Sequence, residues 1–159
     1  MLTKFSLLVC LLPFFALSQI KDSAAFFSDK PIYPYYLPMR PPGPQRDFKA
    51  VKELYHAKIN AQHIASRFSG VITVLFFVNY QGEAGFFSIQ AVDSNYSPVL
   101  IPQNINNPLW RLSDVILNTT QQYFESWTAG LDKEGQPVNT RKFYSFRFTN
   151  GVLSDIFPK

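Results

Sequence analysis

The sequence predicts an α+β domain: a small antiparallel three-stranded sheet packed against two helices, in the order α-β-β-α-β, behind a proline-rich arm. Three observations carry this reading. Residues 70–79 (GVITVLFFVN) have the composition and alternation of a strand. Two stretches, starting near Asp47 and near Pro108, repeat apolar residues at helical spacing. Six of the twelve prolines fall between Pro31 and Pro44, which sets that stretch apart from the domain that follows.

The chain begins with an export leader. Lys4 precedes an uncharged run over residues 5–17, and Ala16 and Ser18 supply small residues where a signal peptidase reads them. A spanning helix needs about 20 apolar residues; this run is shorter and is interrupted by Pro13. The expectation is therefore a leader over residues 1–18, cleaved after Ser18, with the mature protein periplasmic or secreted. Cys10 is the only cysteine and departs with the leader, which excludes disulfides, thiol nucleophiles and cysteine metal sites from the mature chain. Stability then rests on an apolar core, for which 47% hydrophobic residues supply the material. The net charge of +4 is spread along the chain, without the basic cluster that nucleic acid requires. No segment after the leader is apolar and long enough to span a membrane.

Residues 19–46 form the arm. Its prolines fix φ and remove backbone donors, so an extended or polyproline-like path is expected. Two readings stand: a recognition segment presenting Tyr33, Tyr35 and Tyr36, or a spacer lying against the domain through the same tyrosines. Residues 47–159 form the domain. Asp47 is placed to cap a first helix, with Phe48, Val51, Leu54 or Tyr55, and Ile59 at helical spacing on its apolar side. His56 and His63 are seven positions apart, roughly 10 Å along a helix, too far for one metal ion.

In residues 70–79, Ile72, Val74, Phe76 and Val78 point to one face and form core. Val71, Thr73, Leu75 and Phe77 point to the other, and their apolar character predicts partial cover by the arm or another element. Gly82 turns the chain into a second strand over 85–92. Asn107 and Pro108 start a second helix, followed by a loop over 128–139. A third strand over 142–150 alternates Tyr144, Phe146 and Phe148 with Phe143, Ser145, Arg147 and Thr149, and residues 152–157 end the domain. Two helices suffice to cover one apolar sheet face.

Catalytic patterns are missing: there is no G-x-S-x-G, no H-E-x-x-H, no phosphate-binding loop and no dinucleotide fingerprint. The carboxylates are dispersed. No catalytic residue, metal site or cofactor is expected.

The run GVITVLFFVNYQGEAGFFSIQ, with its turn Val78-Asn79-Tyr80-Gln81-Gly82-Glu83-Ala84-Gly85, resembles the first hairpin of the TonB C-terminal domain family. Trp127-Thr128-Ala129-Gly130 resembles the family's W-x-P-G, Gly135-Gln136-Pro137-Val138 its G-x-P-V, and Asp155-Ile156-Phe157-Pro158 the ending of a divergent branch. The resemblance implies a periplasmic domain that binds outer-membrane transporters by pairing a sheet edge with an extended segment. Carried over by position, that edge is the last strand, with Phe143, Ser145, Arg147 and Thr149 as partner-binding residues beside the arm's Tyr33, Tyr35 and Tyr36. The opposite reading is a guarded edge, with Arg147 as the guard. An energy-transducing TonB keeps a membrane helix and a long stalk. This arm, at about 3.1 Å per residue, spans only tens of ångströms, so the chain resembles the binding head alone. The expected function is a non-catalytic adaptor that engages a membrane transporter or an assembly partner, with oligomeric state open. The alternatives are a small-ligand-binding domain with an aromatic pocket, and a structural component of a secreted or surface assembly.

Overall fold

The computed structural model describes residues 23–34, 43–44, 48–62, 64, 67–123 and 127–157. The expected leader, Tyr35, Tyr36, Asp47, His63 and Pro158 lie outside the described residues. In chain order the elements are α1 (Ser23–Phe27), β1 (Ile32–Pro34), β2 (Gly43–Pro44), α2 (Phe48–Ala61), β3 (Gly70–Val78), β4 (Ala84–Asp93), β5 (Pro98–Val99), α3 (Pro108–Tyr123), β6 (Trp127–Thr128), β7 (Gly130–Leu131), β8 (Pro137–Thr149) and β9 (Val152–Phe157).

Among the described residues this is a mixed α+β fold with a curled seven-stranded sheet and three helices, not the three-stranded sheet and two helices expected. The sheet runs β1-β8-β3-β4-β5, with β7 and β9 also pairing β8; β2 and β6 form a separate two-stranded pair. The added strands are short. β5 and β7 have two residues each, β1 three and β9 six. Runs of two or three residues carry too few alternations to register as strands, and β1 lies inside the proline-rich arm.

The longer elements follow from local chemistry. Val51, Tyr55 and Ile59 recur every four residues and are the buried stripe of α2. Asn107 caps α3: its Oδ1 accepts from the N–H of Leu109 (2.9 Å) and of Trp110 (3.3 Å). Pro108 takes the first helical position, where its missing N–H costs nothing. In β3 burial alternates strictly, with Ile72, Val74, Phe76 and Val78 fully buried and the residues between them half-buried.

β3 and β4 meet across a turn built on Asn79. Its Oδ1 accepts from the N–H of Gln81 (3.0 Å) and Glu83 (2.8 Å), and Gly82 has φ +84°. A Cβ on Gly82 would come within 2.3 Å of the Trp127 carbonyl, so only glycine fits the close approach. Between Leu75 and Phe77 the register shifts by a bulge, and Phe86 sits there at φ +54°.

The core fills the space between one sheet face and α2 with α3. Tyr55 and Phe146 meet at 4.6 Å between ring centroids, Phe76 and Trp127 at 5.1 Å, and Phe76 stacks on Phe87 at 5.3 Å. Burying one such side chain contributes about 1.5–3 kcal/mol. The Tyr55 hydroxyl is paired with Thr120 Oγ1 at 2.8 Å, and Thr120 also donates to the Ile116 carbonyl. Lys52 bridges to Asp155 at 3.3 Å and ties α2 to β9. No described helix is long and apolar enough to cross a membrane.

Candidate functional site

The expected partner edge is not an edge. β8 pairs with β3 from Thr140 to Phe148 on one side. On its other side β1 takes Asn139 to Arg141 in parallel, and β9 takes Ser145 to Thr149 antiparallel. The sequence reading ended the sheet at residue 150 because β9 follows a tight turn at Asn150 and Gly151, both at positive φ, and reads as a tail. Phe143, Ser145, Arg147 and Thr149 share the sheet face away from α2 and α3. Ser145 Oγ meets Thr73 Oγ1 at 2.9 Å. The Arg147 guanidinium lies over the Phe157 ring at 5.1 Å, a cation–π contact. Thr149 is opposite Val152. Tyr33 lies in β1, half-buried and opposite Thr140; Tyr35 and Tyr36 lie outside the described residues.

Of the remaining edges among the described strands, those of β9 and β4 are the longest. β9 has no second described strand beside it, but it carries Asp155, already paired with Lys52. β5 covers β4 only at Ala91 and Val92, and among the described residues nothing pairs with the outer edge of β4 over 87–90. That stretch reads Phe-Ser-Ile-Gln, without charge or proline. Phe87 and Ile89 are half-buried; Ser88 and Gln90 are exposed.

The second sheet face carries a seat for the arm; the apolar second face of β3 predicts such a cover, but not the residues that form it. Phe26 is buried, and its ring contacts Phe27 (4.8 Å) and Phe86 (5.1 Å) edge-on; Phe27 stacks on Phe86 at 5.3 Å and meets Phe77 at 5.4 Å. Gly85 makes the room, since a Cβ there would stand 2.9 Å from Phe26 Cε2. Two buried carboxamides read the arm's backbone. Asn79 Nδ2 donates to the Phe26 carbonyl (3.2 Å) and to Glu83 Oε2 (3.1 Å). Asn139 Nδ2 donates to the carbonyls of Phe27 (2.8 Å) and Lys30 (3.0 Å), while its Oδ1 accepts from the Tyr80 N–H (3.0 Å). Between those two carbonyls the chain turns through Ser28 and Asp29, both at positive φ. Left-handed backbone at a residue with a side chain costs about 1–2 kcal/mol, so Asn139 clasps a turn the chain would not hold alone. Lys30 Nζ lies 4.3 Å from the centre of the Tyr80 ring.

The titratable groups of the interior belong to the core. Burial raises the Tyr55 and Tyr144 phenols far above their ordinary range and lowers the Lys142 ammonium, which lies 6.0 Å from the Trp127 ring. Among the described residues no group of three or more His, Cys, Asp or Glu could hold a metal ion. A shallow recess of about 240 Å³ opens at one end of the sheet between Gly70, Asp93, Tyr96 and Arg147. It is smaller than ordinary small-molecule sites, roughly 300–1,000 Å³. The Asp93 carboxylate there already accepts from the Asn95 and Ser97 N–H groups. Compared with family models, curated proteins and solved structures, the chain matches none of them.

Proposed function

We propose that the chain is an exported, non-catalytic protein-binding domain, a periplasmic adaptor of the TonB C-terminal kind. It adds an extended segment of a membrane transporter or assembly partner to the outer edge of β4. One observation carries the choice of edge: residues 87–90 are uncharged and unpaired on their outer side among the described residues. Exposed edges are ordinarily blunted by charge, proline or cover. An edge left open in this way is a template for an incoming strand, whose main chain supplies binding and whose alternate side chains supply selectivity. An added strand would also cover Phe87 and Ile89, turning half-buried rings and branches into core. β8 is the poorer choice, because β3 pairs it along one side and β7, β1 and β9 already take residues 137–141 and 145–149 on the other.

The test selects extended peptides from a displayed library against the purified chain and follows amide exchange with a selected peptide bound. Slowed exchange over residues 87–90, lost in a Ser88→Lys, Gln90→Lys variant, supports the reading. Peptides that bind with no change at those amides would sink it.

A further inference from the structure

The arm seat adjoins the β4 edge through Gly85 and Phe86 but is a separate set of contacts. Its ligand is defined by what occupies it: a short helix ending in two adjacent aromatic residues, a left-handed turn and a short strand running parallel to β8. Every contact is non-covalent. Two buried carboxamides hold three main-chain carbonyls, Gly85 leaves room for one ring, and Phe77 and Phe86 receive the other. Nothing in that set requires the arm to belong to the same molecule.

The chemistry of one further occupant is therefore known. We infer that the seat also takes the arm of a second copy, so that two copies associate by exchanging arms. The connection suits exchange. The arm is anchored by a three-residue ladder to β8, and the chain is next fixed at β2, a two-residue pairing with β6. Between them run residues 35–42, with prolines at 38, 41 and 42. Eight residues reach up to on the order of 25 Å when extended, and prolines favour extension. Cleavage after Ser18 would leave a free end a few residues before α1, so the arm can leave and enter a seat end-first. In an exchanged pair each seat keeps the same contacts, and only the connecting segment differs.

Within one molecule the tethered arm competes at a roughly millimolar effective concentration, so the wild-type chain is expected to be mostly monomeric when dilute. The test removes that competition. One variant, Gly85→Val, has a blocked seat and a good arm; the other, Phe26→Ala with Phe27→Ala, has a good seat and a blank arm. Each is expressed with its own leader, purified after export, and measured by native mass spectrometry alone and mixed. The mixture should hold about tenfold more dimer than either variant alone, as a one-to-one heterodimer, because the intact arm meets an uncontested seat. Monomers alone in the mixture overturn the inference.

A second measurement does not depend on the variants folding. Wild-type chains, isotope-labelled and unlabelled, are mixed at high concentration. Isotope-filtered NMR should then show contacts between the Phe26 or Phe27 ring of one copy and the Phe77 or Phe86 ring of the other. A dimer whose arm contacts are all intramolecular, or no dimer at all, overturns arm exchange.

Discussion

The two faces of the sheet are covered by different means. On one, α2 and α3 bury Ile72, Val74, Phe76, Tyr144 and Phe146 under apolar area, with one hydroxyl pair, Tyr55 and Thr120, set among them. On the other, the two phenylalanines that end a five-residue helix lie over Phe77 and Phe86, held by Asn79 and Asn139, and the chain then joins the sheet as the three-residue β1. The first cover depends on how much surface is removed from water, a quantity many sequences can supply. The second depends on individual donors and acceptors, each fully engaged, so single residues decide it.

The difference should appear first in what each face loses. Phe146→Ala, on the helix side, is expected to destabilise the whole domain by about 3–5 kcal/mol, read as a lowered denaturant midpoint with all slow amides moving together. Asn139→Ala, on the arm side, strands the Tyr80 N–H and takes a donor from the Phe27 and Lys30 carbonyls, of which Phe27 keeps the Lys30 N–H. We expect a cost of roughly 1–3 kcal/mol and fast exchange confined to residues 26–34 while β3 stays protected. If β3 exchange accelerates equally, the two covers form one cooperative unit and the comparison fails.

Alkali should act on the helix face. The Tyr55 and Tyr144 phenols are raised in the folded chain by burial. Their contribution is whole below the unfolded value near 10 and is lost as pH rises above it, at about 1.4 kcal/mol per pH unit for each tyrosine. Lys142 runs the other way. Its folded pKa is lowered by burial, so the cost of its charge is relieved as pH rises through that value, with nothing further gained above about 10.5. Denaturant melts from pH 10 to 12 should show a falling stability, and Tyr144→Phe should reduce the slope. An unchanged slope in that variant would place the titration elsewhere. The smallest effect on stability is expected from Ser88→Lys with Gln90→Lys, within about 0.5 kcal/mol for exposed positions; a larger loss would mean that the β4 edge is covered.

What the sequence disclosed follows the same division. The stripe of Val51 and Ile59 with Leu54 or Tyr55 between them, the alternation in β3, and the Asn107-Pro108 helix start were legible because periodicity and capping chemistry are local; burial then falls on Tyr55. The half-apolar second face also announced that something covers it. The cover itself was not legible, nor were β1, β7 and β9. A three-residue strand inside a proline-rich arm has no period to detect, and its partner, Asn139, was read as part of a loop. The partner edge has another origin: the resemblance assigns it by position to the last strand, and β9, which follows β8, reads as a tail. Asn79 and Asn139 gave no signal beyond ordinary turn residues, since a carboxamide's partners depend on what the fold brings to it.

The parallel ladder between β1 and β8 also constrains how the molecule is made. Asn139 binds the carbonyl of Phe27 across 112 positions of sequence. Chains emerge N-terminus first, so the arm appears at the start and its seat is completed only near the end. Until then Phe26 and Phe27 are exposed apolar rings without their contacts. Contacts this distant in sequence slow folding, and during the delay the two phenylalanines are open to whatever chaperone or neighbouring chain reaches them first.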